Sequence, residues 1–205
     1  MPSEEITSSW SRRAFLNGCA TTLVAAGLRP RTAHANDLRV GSRAPPATLV
    51  TLAGERVSTQ QLLGRVVILT FWATWCEPCR EELPLLSQYV LQHRAAGLEV
   101  LGFSLDREDQ LPEVQRVART LSFPVGFVDR SSTPGYGRIW RLPVSFVIDR
   151  AGVLVMDGWK EKGPSLTAAR LAQVVTPLLR TTHTGRGAGG EGVPGSSASP
   201  DTAGG

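Results

Sequence analysis

Arg65-Val66-Val67-Ile68-Leu69-Thr70-Phe71-Trp72 is an unbroken β-branched and aromatic run. A run without polar alternation reads as a strand buried on both faces. Two cysteines follow it after three residues, and Glu77 to Ala95 then carries Leu83, Leu86, Tyr89 and Val90 at helical spacing, with Pro84 expected to bend the helix. Leu98 to Leu105 is a second buried strand. Glu108 to Leu121 is a second helix with Val114, Val117, Ala118 and Leu121 on one face. Val125 to Val128 is a third strand, and Thr133 to Trp140 holds a short helix or turn. Val144 to Ile148 and Val153 to Met156 form a hairpin around Asp149-Arg150-Ala151-Gly152, and a closing helix spans Leu166 to Arg180. Upstream, Leu38 to Pro46 is a polar entry segment, and Ala47 to Val57 is a hairpin around Ala53-Gly54-Glu55 suited to covering a sheet edge. Ser58 to Leu63 makes one helical turn stopped by Gly64. Strands alternating with helices and ending in a hairpin imply an α/β chain: a mixed central sheet flanked by helices on both faces, with an N-terminal β-hairpin extension.

Composition removes several classes of function. A hydrophobic fraction of 41% and a mean hydropathy of −0.06 describe a globular chain, and no stretch of about 18 apolar residues exists to make a polytopic membrane protein. The formal charge of +4 suggests an anionic partner until residues 1–35 are set aside: they hold four of the 22 basic and two of the 18 acidic side chains, leaving +2. No basic run interleaved with aromatics remains, so no nucleic-acid partner is expected. Residues 1–35 themselves read as a signal peptide: Ser11-Arg12-Arg13-Ala14-Phe15-Leu16, the apolar stretch Cys19 to Leu28, then Ala33-His34-Ala35 before the cleavage point. The paired arginines resemble a twin-arginine export signal, which implies a periplasmic or other extracytoplasmic location. Cys19 opens the apolar stretch instead of closing it, which argues against a lipoprotein box. Residues 36–180 form the expected domain, and 181–205, rich in Gly, Ser and Pro, a disordered tail.

With Cys19 in the segment expected to be removed, Cys76 and Cys79 are the functional cysteines. A staple across three residues removes little unfolded-state entropy, so reversible chemistry suits the spacing better than structure does. A zinc site would need two further ligands, and outside the signal segment the chain offers only His93 and His183; no metal is expected. Cys76 falls between a buried strand and a helix N-terminus, where backbone N–H groups favour a thiolate. Cys79 lies one turn later, facing the same way but more enclosed. Cys76 is therefore the expected attacking thiolate and Cys79 the resolving one, with no cofactor beyond their disulfide. Glu77 sets a negative charge beside that thiolate, which would favour a reducing potential; Pro78 completes the Cys-Glu-Pro-Cys segment. Trp72 and Trp75 are expected to shield the site, with Trp75 partly exposed, and Trp140 and Trp159 to lie in the core.

Phe71-Trp72-Ala73-Thr74-Trp75-Cys76-Glu77-Pro78-Cys79-Arg80-Glu81-Glu82-Leu83-Pro84 resembles the active-site segment of the thioredoxin superfamily, within the extracytoplasmic TlpA/ResA-like branch associated with cytochrome c maturation. The likeness runs from about Gly41 to Arg180 and takes in Ala44-Pro45, Leu142-Pro143 and Asp149-Arg150-Ala151-Gly152. It implies a thioredoxin-like fold and a cis peptide before Pro143, exposing the Leu142 backbone to an extended substrate. General thioredoxins carry a buried Asp where this chain has Thr70, which cannot relay a proton at neutral pH. The branch substitutes a Glu three residues after the second cysteine, here Glu82, which would accept the proton of Cys79; Glu81 is the solvated neighbour. The implied activity is reduction of selected protein disulfides, with apocytochrome c haem-site cysteines as client and a membrane thiol protein as electron donor. An oxidant or isomerase uses the same residues in the other direction. Peroxide reduction lacks the expected Thr in a Pro-led loop before Cys76. Copper delivery would use the two thiolates as soft ligands.

Overall fold

A computed structural model of the chain describes residues 38–163 and 165–180; the expected signal peptide, residues 36 and 37 and the expected tail lie outside them. Seven strands and three α-helices follow in order: β1 Thr48–Val50, β2 Arg56–Ser58, β3 Val66–Trp72, α1 Glu77–His93, β4 Leu98–Ser104, α2 Leu111–Ala118, β5 Val125–Phe127, β6 Val144–Ile148, β7 Leu154–Met156 and α3 Ala168–Arg180. The central sheet has the order β5-β4-β3-β6-β7, with β3, β4 and β5 parallel and β6 and β7 antiparallel to their neighbours. This is the thioredoxin-like α/β architecture with its N-terminal hairpin.

All seven residues of β3 are buried, because the strand lies in the middle of the sheet and alternate side chains enter different cores. Val66, Ile68 and Trp72 meet Leu83, Leu86 and Val90 of α1, Val114 of α2, and Leu171 and Val175 of α3. Val67, Leu69 and Phe71 meet Leu101, Phe103, Phe146, Leu49 and Tyr136. All three α-helices bury their side chains in the first cluster. The second face, expected to carry a helix, is covered by the entry segment, the hairpin and the irregular chain around Tyr136 and Trp159. Residues 133–140 hold Pro134, Gly135 and Gly137, and both glycines take positive φ, so the chain turns there without forming a helix.

Two other boundaries move for local reasons. Residues 59–63 make successive turns instead of a helical turn, ending at Gly64 with φ of 89°. The second helix begins at Leu111, after a short 3₁₀ turn at Glu108–Gln110, because Pro112 lacks an N–H and fits the first turn of a helix better than its interior.

The β1–β2 hairpin does cover an edge. Leu52 N donates to Val125 O at 3.0 Å, satisfying the outer side of β5. Gly126 makes that approach possible, since a β-carbon there would overlap the Val50 carbonyl group and crowd Thr51 Cα. Gly126→Val is therefore expected to push the hairpin off and cost about 3 kcal/mol by overpacking, read from the shift in urea denaturation midpoint.

Candidate active site

Strand β3 delivers the chain to the carboxyl end of the sheet, and the loop Ala73-Thr74-Trp75 turns it into α1. Asp106 fixes that loop. Its buried carboxylate accepts Thr74 N at 2.9 Å and Thr74 Oγ1 at 2.6 Å, while Ser104 Oγ donates to it at 2.7 Å. Sequence reasoning missed Asp106; a carboxylate at the carboxyl end of the parallel strand beside β3 was the available signal.

Cys76 is the N-cap of α1, in an extended conformation, and its Sγ accepts Cys79 N at 3.3 Å. Pro78 occupies the first turn, where no N–H is needed. Cys76 and Cys79 form a disulfide with their Cα atoms 5.3 Å apart. Cys76 keeps 5% of its surface exposed and Cys79 none. The helix start thus holds both sulfurs in a buried site, Cys76 slightly less enclosed than Cys79 behind it.

Glu82 continues the same helix face one turn beyond Cys79 and is buried to 2% exposure. Thr70 on β3 and Ser145 on β6 are register partners, so their side chains stand next to each other on the face that α1 covers. Both hydroxyls donate to Glu82 Oε1, Thr70 at 3.1 Å and Ser145 at 2.8 Å. Oε2 accepts Leu166 N at 2.8 Å from the segment before α3. Burial raises the Glu82 pKa above the ordinary 4.5, against the lowering by Ser145, Leu166 and Thr70. Ser145 and Leu166 had no signal in the local sequence, and Thr70 was judged only by what it could not ionise.

The Leu142–Pro143 peptide is cis, with Leu142 half-buried and Pro143 buried. Val144 pairs with Phe71, which puts this segment at the same end of the sheet as the cysteines. Trp75 is 62% exposed. Glu81 lies in solvent. Glu77 is exposed, and its carboxylate pairs with Arg80. One expectation needs correction. Trp140 is not core: it is 72% exposed, because the irregular chain that carries it leaves its outer face uncovered; Trp159 beneath it is half-buried.

A thioredoxin-like fold that closes a disulfide between a nearly buried and a fully buried cysteine at the first helix turn after the central strand defines a thiol-disulfide oxidoreductase, with that disulfide as its redox centre. The chain belongs to the AhpC/TSA family, whose model matches residues 40–156. It is similar to the thiol-disulfide oxidoreductase ResA of Bacillus anthracis, 30% identical over 118 residues that cover 58% of this chain and 68% of the relative. Thioredoxin-like protein YneN of Bacillus subtilis is 32% identical over 120 residues, covering 57% and 69%. Among solved structures, a putative thiol:disulfide interchange protein DsbE from Chlorobium tepidum matches at 29% identity and a TM-score of 0.57, over 69% of this chain and 99% of its own.

Proposed function

We propose that the protein is an exported reductant of selected protein disulfides, carried across the cytoplasmic membrane by the twin-arginine-type segment Ser11-Arg12-Arg13-Ala14-Phe15-Leu16 and working outside it as the domain 36–180. The observation that carries this reading is the disulfide at the start of α1 with a buried carboxylate one turn behind it. In the reduced protein the Cys76 thiolate draws on the N–H groups of the first helix turn; Cys79 N already faces its sulfur. It attacks one sulfur of the client disulfide. The client S–S bond breaks, the departing client thiolate takes a proton from solvent, and a mixed disulfide joins Cys76 to the client. Cys79 then gives its proton to Glu82 and attacks Cys76 Sγ, releasing the second client thiolate and leaving the Cys76–Cys79 disulfide. Two electrons have passed to the client.

Trp75, Leu142 and Pro143 are the residues assigned to position the extended client, whose main chain would pair with Leu142. Glu77 and Pro78 tune the thiolate, Glu77 more weakly than a lone charge would because of Arg80. Haem-site cysteines of apocytochrome c are the client the family resemblance implies. A membrane electron-transferring thiol protein is the donor that returns the pair to its reduced state. The potential of the Cys76–Cys79 pair tests the direction. A value toward about −270 mV, with reduction of insulin disulfides, supports a reductant, whereas one near about −120 mV overturns it in favour of an oxidant or isomerase. Cys79→Ser, expressed in the exporting cell, is expected to accumulate a mixed disulfide through Cys76, and mass spectrometry of the adduct identifies the client.

A further inference from the structure

Trp140 is exposed but not loose. Its indole stacks on Trp159 with ring centroids 5.6 Å apart and planes 12° from parallel. The Arg141 guanidinium sits 5.7 Å from the Trp140 centroid and 5.8 Å from that of Trp159. It is held in place by donating to the Gly158 carbonyl and, at 3.3 Å, to that of Glu161. Trp159 is anchored in turn: its Nε1 donates to Tyr136 O at 2.8 Å, and Phe146 meets it edge to face at 6.0 Å. A large apolar ring fixed in solvent by this many contacts is pre-organised, and pre-organised tryptophans are the typical anchors of binding surfaces.

The ring walls a cleft of about 350 Å³ whose other lining residues are Leu38, Arg138, Asp157, Trp159 and Lys160. The single carboxylate there is already engaged, since Asp157 accepts Trp159 N at 3.1 Å and Lys160 Nζ at 3.1 Å. Arg138 is exposed and forms no ion pair among the described residues. Cations therefore outnumber anions at the mouth, and the walls are aromatic. Trp140 lies two residues before Leu142, so their Cα atoms are within about 7 Å, and Trp159 follows β7 back to the same end of the sheet, where Gly158 abuts Val144 and Ser145. The cleft thus lies at the same end of the sheet as Leu142 and Pro143.

We propose that this cleft is a second contact for the disulfide-bearing client, taking the residues next to the attacked cysteine and selecting a flank that carries an aromatic side chain and a carboxylate. The aromatic side chain lies against Trp140 and the carboxylate meets Arg138, since Lys160 is already paired with Asp157. This rests on the reading that Leu142 pairs with the client. The test uses two disulfide-linked peptides identical except for a Phe-Glu or a Ser-Lys flank, with hydroxyethyl disulfide as a flankless substrate for the unaltered protein. The expected result is a preference of about tenfold or more in kcat/KM for the Phe-Glu peptide. Trp140→Ala is expected to bring it below about twofold, and Arg138→Glu to shift it toward the Ser-Lys peptide. Absence of a preference in a protein that turns over hydroxyethyl disulfide overturns the cleft proposal alone, as does a preference that survives both substitutions. Failure to reduce hydroxyethyl disulfide overturns the reductase reading instead. Self-association abolished by Trp140→Ala, without flank preference, assigns the cleft to a second copy and also overturns the proposal.

Discussion

Cys76→Ala is expected to abolish disulfide exchange, with turnover falling by about 10⁴-fold or more, the scale on which enzymes lose rate when a covalent nucleophile is removed. Cys79 cannot take over the attack, because it has no exposed surface in the first turn of α1. The loss is chemical and not structural: the loop closed by the disulfide is so short that opening it relaxes the unfolded chain by only about 2 kcal/mol. Cys79→Ala is expected to behave differently. The first attack persists, since its nucleophile and helix N-terminus remain, but no thiol releases the client, so the protein is consumed stoichiometrically as a mixed disulfide. Single-turnover measurement with a chromogenic disulfide separates the two variants: a burst of one equivalent for Cys79→Ala and none for Cys76→Ala. Comparable steady turnover by both would mean that the pair is not the reacting centre.

The central strands and α1 were legible because burial on two faces leaves an unmixed apolar run, and a helix presents its apolar side chains at a fixed spacing. What the sequence hid depends on chain brought together from afar. Thr70 and Ser145 become neighbours only through the antiparallel register of β3 and β6, and the Leu166 N–H comes to Glu82 from 84 residues further along the chain. Thr70 cannot ionise, yet it solvates the residue that does. The pairing of Glu77 with Arg80 was open to sequence reasoning, since residues three apart on a helix are neighbours. Trp140 misled for a different reason: size predicts that a tryptophan buries much of its surface, but not which face of it.

Glu82→Gln carries the second large effect, and its pH dependence distinguishes proton transfer from a merely structural role. With a pKa raised by burial, Glu82 is a stronger base than an exposed carboxylate and lies nearer the ordinary thiol value of about 8.5. Removing it is expected to slow resolution of the mixed disulfide about 100-fold at pH 7, the lower end of general-base effects, and the deficit should shrink as pH approaches 8.5 and Cys79 ionises unaided. A deficit equal at every pH would refute the proton-accepting role. Stability supplies an independent check. Because the folded pKa lies above 4.5, the folded state holds this proton more tightly than the unfolded one. The resulting penalty is complete above the raised folded pKa, fades as pH falls through it, and is gone below about 4.5. The stability difference between unaltered protein and Glu82→Gln should therefore move in favour of the unaltered protein on acidification across that window. The variant also carries a pH-independent cost of about 1–3 kcal/mol, since its amide carbonyl can accept Thr70 and Ser145 but its NH₂ must face the Leu166 N–H. Thr70→Val and Ser145→Ala each remove a donor that stabilises the carboxylate, so each should raise the Glu82 pKa further and move the rate profile to higher pH while leaving the base in place.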